Sequence, residues 1–138
     1  MSGLPIAIFQ NRDWKPMWTY YNPIPNSNPP APDLTNPVNL TGYSAKMQIR
    51  TSKSQIGNTL LATLATGATP DGSPGNSGRI TLGGSAGTVS PELLAAFTET
   101  MQAWVGDAYW DMELISPSGG KPCFAYGTAT YTPTVTVP

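Results

Sequence analysis

Polar and apolar residues alternate most cleanly over residues 41–50, where Tyr43, Ala45, Met47 and Ile49 interleave with Ser44, Lys46, Gln48 and Arg50. Successive side chains of an extended chain point to opposite faces, so this period predicts a half-buried strand. Residues 107–115 repeat the pattern, with Trp110, Met112 and Leu114 inward and Tyr109, Asp111 and Glu113 outward. The Ser-Pro-Ser-Gly-Gly segment at 116–120 then predicts a hairpin loop, with residues 122–131 as the returning strand. Shorter strands are expected at 60–66, 79–82 and 88–90, separated by turn formers at 67–78 and by the Gly83–Gly84 pair.

Near the N-terminus, Trp14, Pro16, Trp18 and Tyr20 share one parity and would share one face of an extended chain. Pro16 restricts that run to an edge strand or a strand start. Prolines at 23, 25, 29, 30, 32 and 37 follow. They predict that residues 22–37 form an extended, polyproline-like surface excursion. A short helix is expected from Ser90-Pro91-Glu92, because Ser caps, Pro suits the first turn and Glu favours the positive end. Leu93, Leu94, Phe97 and Met101 fit one face of it. Beyond Tyr131, residues 132–138 read as an extended C-terminal arm broken by Pro133. Strands separated by turns, without regularly interposed helices, predict an all-β antiparallel sandwich rather than βαβ units.

Length makes this one domain spanning residues 1–138. Folding at that size removes roughly 68–70% of the unfolded surface from water, enough for a self-sufficient core. The 15 prolines and 14 glycines together stay below the roughly 25–30% that marks low complexity. Four Trp, six Tyr and three Phe supply the anchors that disordered chains lack. Charged residues are sparse at 11%, and the net charge of −1 gives no basic footprint for nucleic acid or an anionic membrane. No apolar run approaches the ~18 residues of a membrane span. The first nine residues lack a basic n-region, and Ser2 stands where myristoylation needs Gly, so synthesis in the cytoplasm without export is expected.

Candidate chemistry is thin. With no His, the commonest general base and transition-metal ligand is missing, and a Ser or Cys nucleophile has no His partner. The single Cys123 excludes an intramolecular disulfide and a Cys-rich metal centre. No Gly-Lys-Ser/Thr phosphate loop or dinucleotide fingerprint occurs in the Gly-rich stretch at 67–87, and Asp71-Gly72 lacks the further carboxylates of a calcium loop. Asp111 and Glu113 lie two apart on one strand face, the spacing of a carboxylate pair for acid/base work; the plainer reading, which alternation alone explains, is two solvated charges opposite Lys46 and Arg50 on another strand. Asn39-Leu40-Thr41 is formally a glycosylation acceptor. Neither a catalytic set, a cofactor nor a metal is therefore expected, and the chain reads as a non-enzyme. Trp14, Trp18, Tyr20, Tyr21, Val135 and Val137 are the candidate partner-contact residues; core packing is the plainer reading for the tryptophans.

Several segments, in order, carry a family resemblance. Residues 9–18 resemble an opening strand with an aromatic after a polar turn, and Asn39-Leu40-Thr41-Gly42-Tyr43 leads into an alternating strand that ends in the basic Arg50. Gly78-Arg79-Ile80-Thr81-Leu82 resembles a middle strand, and Ala108-Tyr109-Trp110-Asp111-Met112-Glu113-Leu114 an aromatic–Asp–apolar–Glu–Leu strand. Gly119-Gly120, Gly127 and Val135-Thr136 follow in the same order. Over roughly residues 6–137 the chain resembles small virion structural proteins of tailed bacteriophages, in particular the immunoglobulin-like N-terminal domains of upper baseplate and tail-fibre adaptor proteins. The insert at 22–37 departs from their pattern. The resemblance implies an immunoglobulin-like sandwich, to which the short helix and extended terminal arms read above would belong, located in the virion and without catalytic activity. Its implied partners are other virion proteins, tail, fibre or major capsid protein, and further copies of itself. A tail adaptor implies a small fixed copy number. The alternative, a head decoration (cement) protein, implies hundreds of copies; a carbohydrate-binding module using exposed aromatics is a third possibility from another class.

Overall fold

The computed structural model describes residues 3–51, 58–100, 107–121 and 123–133. Ten strands follow one another as β1 (Ile6–Phe9), β2 (Trp18–Thr19), β3 (Tyr21–Pro23), β4 (Pro32–Pro37), β5 (Ser44–Arg50), β6 (Leu60–Ala65), β7 (Gly78–Leu82), β8 (Thr88–Glu92), β9 (Ala108–Ile115) and β10 (Cys123–Thr132). Among the described residues the chain is thus mostly β, with one short helix, α1 (Ala95–Thr100). Eight strands form a sheet in the order β1-β10-β9-β5-β6-β7-β8-β2, and β3 and β4 pair separately.

The alternating segments became the strands they predict. In β5, Ala45, Met47 and Ile49 are buried, and in β9 so are Ala108, Trp110, Met112 and Leu114. The two strands are antiparallel neighbours, with Met47 opposite Met112 and Ala45 opposite Leu114. Their inner faces join Ile6, Ile8, Leu64, Ile80, Val89, Leu93, Ala125, Ala129 and Tyr131 in one apolar cluster. At about 25 cal/mol per Å² of apolar surface removed from water, this shared face is what stabilises the sheet.

The sheet is mixed, whereas the turn spacing predicts antiparallel pairing throughout. β6 and β7 run parallel, with Leu64 opposite Gly78, and β1 runs parallel to β10, with Ile6 opposite Ala129. A parallel neighbour needs a crossover of about a dozen residues, and the turn-rich segment 66–77 has that length. Ser77 ties it down: its amide donates to the Thr63 carbonyl at 2.8 Å, and its hydroxyl accepts from the Thr63 amide at 3.1 Å.

The helix begins at Ala95 rather than at Ser90. Residues 88–92 stay extended because Thr81, Ile80 and Arg79 of β7 pair with Ser90, Pro91 and Glu92. Asp13, distant in sequence, supplies the cap instead, its carboxylate accepting from the Ala95 amide at 2.7 Å. Leu93 is buried as a continuation of the strand and Leu94 is exposed, while Phe97 and Thr98 face the core; Met101 lies outside the described residues.

The two prolines of this region stand opposite each other. Trp14 faces Leu93 and Trp18 faces Val89 in one register, which places Pro16 against Pro91. Trp14 and Leu93 exchange both backbone hydrogen bonds at 2.8 Å. Every second pair of such a ladder does so, and the next pair holds two residues without an N–H. Pro16 keeps a partner for its carbonyl, which accepts from the Ser90 hydroxyl at 3.1 Å. The two-residue length of edge strand β2 follows from this gap.

Candidate functional site

Three surfaces carry what the sequence singled out. The first is the hairpin formed by β3 and β4, which occupies the proline-rich excursion. Tyr21 pairs with Pro37 and Pro23 with Pro32, with an irregular register between the two pairs. No residue from Tyr21 to Asn39 is buried. Ile24 is 45% exposed and Leu34 71% exposed. At the tip, the Ser27 hydroxyl donates to the Ile24 carbonyl at 2.8 Å and accepts from the Ala31 amide at 3.1 Å. Asp33 accepts from both the amide and the hydroxyl of Thr35, which holds its carboxyl below the usual carboxylate range.

The root of this arm is fixed to the main sheet. The Tyr20 amide donates to the Gly87 carbonyl, and the Val38 amide to the Tyr20 carbonyl, both at 2.8 Å. Gly87 has φ +69°, and a Cβ there would meet the Val38 carbonyl at 2.8 Å and the Tyr20 carbonyl at 2.9 Å. Only glycine both adopts that conformation cheaply and lets the two legs of the arm pass so close. The sequence shows the prolines but not this anchor, because Gly87 is one of several glycines in a turn-rich stretch.

The second surface was expected around the aromatic run. Trp14, Trp18 and Tyr20 pack half-buried against the core cluster, as the plainer reading had it for the tryptophans. Trp14 meets Trp18 edge-on at 6.3 Å, and Trp18 stacks on Trp110 at 5.5 Å. Tyr21 is half-buried at the start of β3. Val135 and Val137 lie outside the described residues, as do 134–138 of the expected C-terminal arm; Thr132 belongs to β10.

The third surface is the outer face of β5, β9 and β10. Glu113 lies opposite Lys46, as the sequence suggested, while Asp111 lies opposite Gln48 and Arg50 opposite Tyr109. On the other side of β9, Tyr126 is the partner of Asp111. Lys46, Gln48, Asp111 and Glu113 line an open groove of about 200 Å³. Partial burial, and secondarily the Glu113 charge, push the Asp111 carboxyl above its ordinary value, against the opposing pull of Arg50. The Arg50 guanidinium donates to Asn58 Oδ1 at 3.2 Å and to Gln48 Oε1 at 3.3 Å. Residue spacing foretold the carboxylate pair; the groove depends on which strands adjoin, which local pattern does not encode.

Elsewhere, Lys15 and Glu92 form a cross-strand ion pair at 2.8 Å, which raises the Lys15 pKa. Asn39 Oδ1 accepts from the amide and the hydroxyl of Thr41 at 3.0 and 2.7 Å, so the formal glycosylation triplet is folded into a tight Asx turn. Among the described residues, no three His, Cys, Asp or Glu side chains converge to hold a metal ion, and no helix is long and apolar enough to cross a membrane. Comparison of the chain with known protein families and with curated proteins gives no match.

Proposed function

We propose that this chain is a non-enzymatic structural protein of a tailed bacteriophage particle, an adaptor in the tail, baseplate or fibre-attachment region. Its fold, on this reading, is an immunoglobulin-like sandwich whose two layers are parts of the curled eight-stranded sheet. The observation that carries the reading is the β3–β4 arm: a proline-stiffened hairpin, anchored at Gly87, with Ile24 and Leu34 left in water. A two-stranded hairpin alone is marginal in water, and preorganised extended segments bury apolar side chains on a partner at a low ordering cost. The order of sequence segments, which resembles that of phage adaptor domains, supports the same reading. The stacking of Trp18 on Trp110, which brings the inner faces of β2 and β9 together, supports the layered fold.

The test is sedimentation of particles from a producing lysate carrying either the natural chain or one with residues 22–36 replaced by a short Gly-Asn turn. The natural chain should sediment with the particles, and the armless chain should stay in the supernatant while remaining folded. A natural chain that never sediments with particles removes the proposal.

A further inference from the structure

We propose that the outer face of β5, β9 and β10 is a binding site for a neutral saccharide, with Lys46, Gln48, Asp111 and Glu113 reading hydroxyl groups and Tyr126 offering its ring. The site is separate from the arm and does not depend on the assembly role.

The four lining side chains supply both halves of hydroxyl recognition within one groove. Asp111 and Glu113 accept, Lys46 donates, and an amide such as Gln48 does either. Arg50 holds the oxygen of that amide at 3.3 Å, which turns its NH₂ group, with two donors, away from the guanidinium. A donor fixed beside two acceptors suits groups that both give and receive a hydrogen bond, as sugar hydroxyls do.

Lys46 and Glu113 are register partners, yet no ion pair within 4.0 Å joins them among the described residues. Opposite charges that face each other across a groove without closing it leave their hydrogen-bonding capacity to a third group. Lys46 and Arg50 balance Asp111 and Glu113, so the face favours neither an anion nor a cation. Two carboxylates alone also fall short of the six to eight oxygens of a calcium site.

Tyr126 completes the constellation. It is 47% exposed, and it adjoins Asp111 from β10, on the face opposite buried Ala125 and Ala129. A half-exposed aromatic side chain beside the groove gives the C–H side of a sugar an apolar surface. The groove is smaller than the ~300 Å³ at which drug-sized pockets begin, so it holds a single sugar unit of a longer chain.

The test uses the full chain and three soluble probes: maltohexaose, cellohexaose and the trimer of N-acetylglucosamine. Backbone amide NMR spectra are recorded as each is added. At least one probe should give saturable shifts concentrated at residues 46–50, 109–113 and 126. Gln48→Ala and Tyr126→Ala should each weaken that binding tenfold or more while leaving the melting temperature and the remaining spectrum unchanged. The proposal fails if no probe shifts these amides, if the shifts fall on other surfaces, or if both folded variants bind as the natural chain does.

Discussion

Trp18 stacks on Trp110 with ring centroids 5.5 Å apart and planes 17° from parallel, although four strands separate β2 from β9 in the sheet. The indole pair therefore joins β2 to β9 through side chains, where no backbone pairing links them. Trp110 is fixed from the other side as well, its Nε1 donating to the Leu4 carbonyl at 2.9 Å.

Truncating this contact should cost more than removing an ordinary half-buried side chain. Deleting a core Trp costs about 3–5 kcal/mol, and since Trp18 keeps some exposure, Trp18→Ala should lose about 2–4 kcal/mol. Thermal unfolding followed by circular dichroism should then show a Tm lower by roughly 10 °C. A loss within about 0.5 kcal/mol, the size of a surface substitution, would mean the fold does not rely on the stack.

Gly127 stands opposite Trp110 on β10, and a Cβ there would collide with the Leu4 backbone. Since the obstacle is main chain held in the sheet by the Leu4 amide bond to Tyr126, it cannot swing aside. Gly127→Ala should destabilise the fold by about 1–3 kcal/mol, the range for overpacking, with the amide of Leu4 losing hydrogen-exchange protection first. Unchanged protection at Leu4 would contradict that packing.

Gly87 makes a different prediction, because its neighbours are the legs of the arm. Gly87→Ala should leave the β5–β9 ladder protected while the amides of Tyr20 and Val38 exchange faster. Local opening at those two amides should become easier by about 1–3 kcal/mol, from the strained positive φ and the close contacts. Equal acceleration across β5 and β9 would show that the arm root belongs to the core instead.

The raised pKa of Asp111 fixes the sign of a pH effect. Its carboxyl holds a proton more tightly in the folded chain than in the unfolded one, so ionisation costs stability. That cost is absent below the unfolded value of about 3.9 and is complete once pH exceeds the folded value. Asp111→Asn should therefore be modestly more stable than the natural chain at pH 7, with the advantage shrinking as pH falls through the raised value. The lowered pKa values of Asp33 and Asp71 act the other way, but they are common to both proteins and cancel in the difference. Urea unfolding at several pH values reads it directly; an advantage that grows toward acid would contradict the sign.

Much of this architecture is legible in the chain because it is local. The alternation in β5 and β9 depends only on which face each residue takes, and Pro16 announces an edge by lacking an N–H. What resisted reading was set by partners remote in sequence. Ser90, Pro91 and Glu92 satisfy every local rule for a helix start, yet pairing with β7 holds them extended and Asp13 caps Ala95 from elsewhere. Parallel pairing of β6 with β7 leaves no signature in a turn-rich segment, since a crossover and a long loop use the same residues. The candidate surfaces divide the same way. The prolines and the carboxylate pair were visible, whereas Gly87 at the root of the arm and Tyr126 beside Asp111 depend on tertiary contacts.

The proposed role as a tail or fibre-attachment adaptor is tested most directly by copy number. Quantitative mass spectrometry of purified particles, scaled to the major capsid protein, should find this chain at a small fixed number, from a few to a few dozen per particle. Its absence from the particles, or a ratio near one per capsid subunit, would contradict the tail-adaptor account; the latter ratio would make it a head decoration protein.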